Sequence, residues 1–224
     1  MTEEEVQDPR VRVRQLAAES EGPTGWFERL YVEADHGTAQ VPWDKGEPHQ
    51  LLTRWVEQRR PRGEGRTAVV VGCGYGRDAE YVARQGFQTT AFDISPSAVR
   101  AAAERHAGSP VRYATADLLA LPEDWRGAYQ LVVESMTVQS MPRTVRPAAI
   151  EGVTRLVAPG GTLLVVAAAG IPDHDGPPWP LTRAEIDAFA AGELKAVHIE
   201  EVFDADEPGV SRWLAELHRP PAGT

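Results

Sequence analysis

Apolar residues in this chain fall in short blocks, and from residue 67 to residue 167 the blocks alternate between two kinds. Ala68-Val69-Val70-Val71 is continuous and β-branched, which predicts a strand buried on both faces. Gln88 to Asp93 predicts a second strand, Val111 to Leu118 a third and Tyr129 to Met136 a fourth. Arg155 to Val166 predicts the end of a helix, a Pro159-Gly160-Gly161 turn that closes it, and a fifth strand. Helical spacing covers Leu51 to Val56 and Asp78 to Arg84. Ser95-Pro96 predicts a helix start with proline in the first turn, and Thr182 with Glu185 has capping-box spacing. Two further strands are predicted near Lys195–Val202 and Ser211–Leu217. Strand and helix in alternation argue for a parallel sheet with helices on both faces.

The first strand runs into Gly72-Cys73-Gly74-Tyr75-Gly76-Arg77-Asp78. Glycines on alternate positions suit a turn that needs positive φ or lets a ligand approach the backbone. A strand, a glycine turn and a helix start form a nucleotide cradle. A dinucleotide fingerprint is G-x-G-x-x-G, whereas here the third glycine comes one residue early and Arg77 stands where that pattern wants glycine. Asp93 follows the loop by about 20 residues, the offset at which an acid reaches ribose hydroxyls in such folds. The same aspartate also suits a turn or an N-cap, and Ser95 can cap while Asp93 binds. Glu134, Ser135, Met136 and Thr137 lie at the carboxyl end of the fourth strand, where open α/β sheets bind ligands.

The glycine loop, the phrase Phe92-Asp93-Ile94-Ser95-Pro96-Ser97-Ala98-Val99, and Pro159-Gly160-Gly161-Thr162-Leu163 together resemble the class I S-adenosylmethionine (SAM) methyltransferases. The resemblance covers roughly residues 65–170. It implies an α/β, Rossmann-like, seven-stranded and mostly parallel sheet with helices on both faces, an antiparallel last strand and an N-terminal cap. It implies SAM as cofactor, held by Gly72, Cys73, Gly74, Gly76, Asp93, Ile94, Asp117, Leu118 and Glu134. In the family the glycine loop passes against the methionine part and ribose, Asp117 accepts from the adenine amino group, and the Leu118 amide meets the ring. Family members often carry Asp where Glu134 stands. Asp117 has a capping reading as well.

Residues 1–48 precede the nucleotide fold and hold Trp26, Phe27, Tyr31 and Trp43 in otherwise polar sequence. Gly25-Trp26-Phe27 and Val41-Pro42-Trp43-Asp44-Lys45-Gly46 resemble the start of thiopurine, thiol and halide methyltransferases, with the tellurite-resistance methyltransferases near in type. There a tryptophan before an Asp-x-Gly run helps close the SAM site, so Trp43 is expected either on the cofactor or as an anchor for the cap. Residues 1–224 are expected to form a single methyltransferase domain, with residues 1–48 as cap and 49–224 as SAM-binding core. The cap is expected to have no core of its own. The proline-rich stretch from Pro172 to Pro180 follows the fifth strand and so emerges on the ligand side. Trp26, Tyr31, Met136, Thr137, His174 and Trp179 are expected to wall an apolar acceptor pocket.

Composition narrows the partner. A net charge of −10 and a pI of about 5.1 argue against a nucleic-acid substrate, whose phosphates favour a basic surface. The basic cluster Arg59, Arg60, Arg62 and Arg66 reads as a solvated connector. No apolar run reaches ~18 residues, so no membrane partner is expected. The acidic start, Glu3-Glu4-Glu5, lacks a basic-then-apolar leader, which makes the cytoplasm the expected location. The single cysteine, Cys73, excludes a disulfide framework and reads as a small packed side chain. The six histidines show no metal-ligand spacing, so no metal is expected. His36 and His174 are the histidines in segments able to reach the site, and no residue stands out as the catalyst. The leading expectation is methyl transfer to a small molecule, with a thiol preferred. Transfer to oxygen or nitrogen of a natural product is the alternative, and a non-catalytic SAM- or NAD-binding protein is a third of another class. Calorimetry with SAM, S-adenosylhomocysteine and NAD separates the classes.

Overall fold

The computed structural model describes residues 8–170, 176–203 and 209–223. Three helices come first: α1 (Pro9–Ala18), α2 (Gly25–Asp35) and α3 (Gln50–Arg59). Then follow β1 (Thr67–Val71), α4 (Arg77–Arg84), β2 (Gln88–Asp93), α5 (Pro96–Arg105), β3 (Arg112–Thr115) and β4 (Tyr129–Ser135). The chain closes with α6 (Arg146–Arg155), β5 (Val157–Ala168), α7 (Arg183–Ala188), β6 (Lys195–Phe203) and β7 (Ser211–His218). The strands form one sheet of order β3-β2-β1-β4-β5-β7-β6. All pairs are parallel except those of β7, which runs antiparallel to both β5 and β6. The predicted Rossmann-like class is therefore the observed one. The order reverses between β1 and β4, and that crevice is where such sheets bind ligands.

Period-two alternation along each strand splits the apolar residues between two layers. Val69, Val71, Val132, Leu163 and Val165 face one layer, with α6 and α7 supplying Ala149, Val153 and Ile186. Ala68, Val70, Leu131, Val133, Leu164 and Val166 face the other, with α3 and α4 supplying Leu52, Val56, Ala79 and Val82. Burial on both faces is why β1 reads as an unbroken apolar run. Helix starts are set locally. The Ala98 N–H donates to Ser95 Oγ at 3.0 Å, with Pro96 in the first turn of α5. At α7, Thr182 and Glu185 make the predicted capping box.

Three expectations change. The third strand ends at Thr115, so Asp117 and Leu118 lie in the loop beyond it. Pro159-Gly160-Gly161 does not close α6, which already ends at Arg155. The triplet lies inside β5, where the pairing with β4 shifts register between Tyr129 and Leu131. Gly160 has φ +77° there, as an irregular strand segment requires. The cap does have a core of its own: Val13 and Leu16 of α1 close on Trp26 and Leu30 of α2, all four buried. Each helix carries only two such anchors at helical spacing, which is why polar sequence around them masked both helices.

The cap sits on α5 through Glu28. Its carboxylate accepts from Ser95 Oγ at 2.5 Å, Ser97 N–H at 3.1 Å and Ser97 Oγ at 2.8 Å. Burial pushes the Glu28 carboxyl up, but those bonds and Arg100 pull it further down, so the net shift is downward. The docking interaction is therefore fully present above the ordinary carboxylate range and is lost as pH falls through the lowered value.

Candidate active site

The glycine loop leaves β1 with positive φ at Gly72, Gly74 and Gly76. At each glycine a different element presses on the backbone. A Cβ on Gly72 would meet Thr137 Oγ1 at 2.3 Å, one on Gly74 would meet Tyr31 Oη at 2.9 Å, and one on Gly76 would meet Tyr113 Oη at 2.3 Å. The loop is thus gripped from the end of β4, from the cap and from β3. Cys73 points inward; burial first, and the Asp93 charge second, push its thiol well above the usual range. It is a packed side chain, as predicted, and not a thiolate nucleophile.

Asp93, at the end of β2, is buried. Its Oδ2 accepts from the Gly74 N–H at 2.9 Å and its Oδ1 from the Ser95 N–H at 3.0 Å. It thereby ties the glycine loop to the start of α5, and each oxygen keeps a second lone pair. Burial pushes its carboxyl up against those bonds, and the net shift is upward. The neighbouring Ile94 is half-buried. Asp117 accepts from the Leu119 N–H at 2.8 Å, which closes a turn in the loop rather than capping a helix, and Leu118 is buried in the core.

Glu134 is fully buried at the end of β4, paired in register with Val71 just before the loop. Its Oε1 accepts from the Thr137 and Val138 N–H groups at 2.8 and 2.9 Å. Its Oε2 is buried with no hydrogen-bond partner among the described residues. Burial pushes the Glu134 carboxyl up to about 7, against the pull of the Val138 and Thr137 amides. The folded value lies above the unfolded value of 4.5, so the stability tied to this group is full below 4.5 and is lost as pH rises through about 7. Glu134→Gln is accordingly expected to stabilise the ligand-free protein at pH 8 relative to wild type, by on the order of 1–3 kcal/mol, and to give no gain at pH 4.5. Urea unfolding at the two pH values checks this; equal differences at both would mean that Glu134 does not titrate as described.

The residues expected on the acceptor side separate into groups. Tyr31 and Trp43 do lie over the loop: Trp43 Nε1–H donates to Tyr31 Oη at 2.8 Å, and both approach Gly74. Trp26 does not face an acceptor space. It is 2% exposed in the cap core, with its ring 6.1 Å from that of Trp43, which it backs. Thr137 is committed to the backbone, its Oγ1 donating to the Val71 carbonyl at 3.0 Å. Met136, half-buried, holds φ +64°, a left-handed conformation rare outside glycine and asparagine that is found where a site constrains the chain. Trp179 reaches the turn after Met136, its N–H donating to the Gln139 carbonyl at 2.8 Å. His174 lies outside the described residues, and His36 is exposed at the end of α2.

One residue had no counterpart among the sequence candidates. Arg146 is 1% exposed and holds this side of the site together. Its guanidinium donates to the carbonyls of Met141, Gln139 and Trp179 and to Glu185 Oε1. A cavity of about 210 Å³ opens between α2, α5 and Tyr75, with Tyr31, Asp35, Glu104 and Arg105 in its walls. It is more polar than the aromatic pocket expected. The larger groove, about 510 Å³ between α3 and α4 beside Arg60, Arg62 and Arg84, lies at the opposite end of the strands from the loop.

The family model for thiopurine S-methyltransferase matches residues 32–218. A thiocyanate methyltransferase 1 of Brassica oleracea is 32% identical over 170 residues, covering 72% of this chain and 72% of that protein. A 2-heptyl-1-hydroxyquinolin-4(1H)-one methyltransferase of Mycobacteroides abscessus is 28% identical over 153 residues, 66% of this chain and 66% of that protein. Among solved structures, the Burkholderia thailandensis 1,6-didemethyltoxoflavin-N1-methyltransferase, with bound 1,6-didemethyltoxoflavin and S-adenosylhomocysteine, superposes with a TM-score of 0.66. Its identity is 14%, with coverage of 90% of this chain and 93% of that one. A TehB-like SAM-dependent methyltransferase from Corynebacterium glutamicum gives a TM-score of 0.58 at 18% identity, covering 87% and 96%. The two superpositions carry the fold.

Proposed function

We propose that this chain, which belongs to the thiopurine S-methyltransferase family and so to the class I SAM-dependent methyltransferases, methylates a small molecule whose preferred acceptor atom is a thiol sulfur. The observation that carries the SAM part of the reading is a buried, acidic loop site: a glycine turn bonded to the Asp93 carboxylate, beside the Glu134 oxygen that has no hydrogen-bond partner among the described residues. Such an acceptor set fits a cationic cofactor bearing hydroxyl and ammonium groups. When bound, SAM supplies a methyl group on positively charged sulfur.

The chain's own residues do the rest. Asp93, fixed by two backbone amides, has lone pairs left for ribose hydroxyls. Glu134 Oε2 is set to accept from a donor at the reacting end. Tyr31 and Trp43 cover the loop and exclude water. Orienting two reactants at attack distance supplies much of the rate in such a transfer. A thiolate acceptor needs no protein base, because it is already the nucleophile. Similarity to thiocyanate and thiopurine methyltransferases supports sulfur.

A second reading has its own observation. A carboxyl raised to about 7 is suited to take a proton at neutral pH, and Glu134 would then serve an oxygen or nitrogen acceptor as base. A methyl-transfer assay over thiols, phenols and amines tests both. On the thiol reading the rate follows the thiolate fraction of the substrate, and His36→Ala, His174→Ala and Glu134→Gln each lower kcat less than about tenfold, against about 10²–10⁴-fold for loss of a required base. A collapse of kcat in Glu134→Gln with binding of S-adenosylhomocysteine intact overturns the thiol reading in favour of the second.

A further inference from the structure

The connector between α3 and β1, which as sequence reads as a solvated charge run, forms one side of the groove of about 510 Å³ at the far end of the sheet. Arg60 and Arg62 line that groove from the connector and Arg84 from the last turn of α4, and all three are exposed. Most arginines of this chain have a carboxylate within ion-pair distance, as Arg59 has Glu216 at 2.7 Å. These three have none among the described residues. Glu57, the acid in the groove, lies beyond ion-pair reach of them, so the local charge is positive in a chain whose net charge is −10. The connector is also fixed in place. The Gly63 N–H donates to the Gln85 carbonyl at 2.8 Å, the Gly65 N–H to the Gly86 carbonyl at 3.1 Å, and the Arg66 side chain to the Gly63 carbonyl at 3.3 Å and to that of Arg62. Arg60 holds φ +47° at the C-cap of α3, a left-handed position that favours glycine. A long cationic side chain kept there at a cost in backbone energy is the mark of a residue with a use besides folding.

We propose that this groove binds a small molecule carrying two or more phosphate groups, of nucleoside di- or triphosphate size, with the guanidinium groups of Arg60, Arg62 and Arg84 on the phosphates. The planar guanidinium fork matches phosphate oxygens in paired, charge-assisted hydrogen bonds. Val56, Pro61 and Tyr81 give the groove an apolar side for the organic part of the ligand. The Arg84 guanidinium lies 5.6 Å from the centroid of the Tyr81 ring, which joins the cationic and apolar sides. The volume is within the range of about 300–1,000 Å³ usual for small-ligand sites. Charge limits the size of the ligand. A long polyanion such as a nucleic acid runs beyond the groove onto an acidic surface that repels it, whereas a ligand confined to the groove meets mainly the local positive field. The groove lies at the opposite end of the strands from the glycine loop, so the proposal does not rest on the methyl-transfer reading.

Calorimetry with inorganic tripolyphosphate and with UTP, which lacks the adenosine of SAM, tests the proposal on wild type, Arg60→Gly, Arg62→Ala, Arg84→Ala and Arg143→Ala. Wild type is expected to bind both probes, UTP the more tightly, and each groove variant to bind them about tenfold more weakly. Arg143 is exposed and has no carboxylate partner among the described residues, but it lies outside the groove, so Arg143→Ala is expected to bind as wild type does. Arg60→Gly puts the favoured residue at the left-handed position. Its melting temperature is therefore expected not to fall while its affinity does, a combination that lost folding cannot produce. No binding of either probe, or equal weakening by Arg143→Ala, overturns the proposal and leaves the arginines as a solvated face. Tighter binding of a poly-glutamate peptide than of UTP overturns it in favour of an acidic protein partner. Affinity for S-adenosylhomocysteine is expected to be the same in all five proteins, and displacement of UTP by S-adenosylhomocysteine would place the probe at the glycine loop and overturn the groove as its site.

Discussion

Asp93→Ala is expected to weaken binding of S-adenosylhomocysteine roughly tenfold or more, because each charge-assisted hydrogen bond to a carboxylate contributes about 1.5–3 kcal/mol. The effect has two parts. One is loss of the lone pairs left for the ribose. The other is release of the loop, since the Gly74 and Ser95 amides lose their shared acceptor. Asp93→Asn separates them poorly by design: its amide nitrogen would point a donor at one of two backbone donors, so it is expected to fall close to alanine. Calorimetry reads the affinity, and thermal unfolding of the free protein reads the second part alone. An unchanged dissociation constant in folded Asp93→Ala removes this carboxylate from the cofactor site.

Arg146→Ala is expected to be the most destabilising single change, at about 3–5 kcal/mol, the range for stranding the partners of a buried charge. It removes four bonds at once: to the Met141, Gln139 and Trp179 carbonyls and to Glu185. Lysine cannot restore them, because three acceptors and a carboxylate at fixed angles match the guanidinium fork and not a single ammonium. The Glu185 carboxyl is pushed up by burial but pulled lower overall by bonds from Thr182 and Arg146. Stability from that pair is therefore present at neutral pH and lost as pH falls through the lowered value. The gap between the urea midpoints of wild type and variant should narrow in acid by the share of the Glu185 pair, while the three carbonyl bonds keep the rest. A difference below about 1 kcal/mol at pH 7 would show that the turn after β4 does not depend on this guanidinium.

The strand, glycine turn and helix start around Gly72–Asp78 were legible in the sequence because every determinant is local: a continuous apolar run, residues able to take positive φ, and a helix start. The same holds for Ser95 and for the Thr182–Glu185 capping box. What the glycines touch was not legible. Thr137, Tyr31 and Tyr113 come from the end of β4, the cap and β3, and only the folded sheet with the cap docked on it brings them to one loop. Trp26 and Trp43 read alike as aromatics in a polar segment, yet one is buried in the cap core and the other is 39% exposed over the loop. The difference follows from Trp26 sharing a helix face with Leu30, a spacing too short to outweigh its polar surroundings. Arg146 gave no signal at all. Nothing in its neighbours distinguishes it from Arg143, and its burial is decided by carbonyls from residues 139, 141 and 179. Pro159-Gly160-Gly161 misled because a helix stop and a strand irregularity draw on the same residues.

The bonds from Glu28 to Ser95 and Ser97 span 67 and 69 residues of chain. At about 5–20 residues per second, a ribosome makes the docking half of this contact roughly 3–14 s after the other half. During that interval α1 and α2 exist with nothing to dock on. Trp26 and Leu30, buried in the finished cap, have only Val13 and Leu16 to pack against until α5 is made. The interior strand β5 waits as well, since its antiparallel neighbour β7 is the last strand to be made. Four buried side chains are too few to hold two short helices by themselves, so the cap sets only once α5 has been made, and the catalytic sheet only once β7 has.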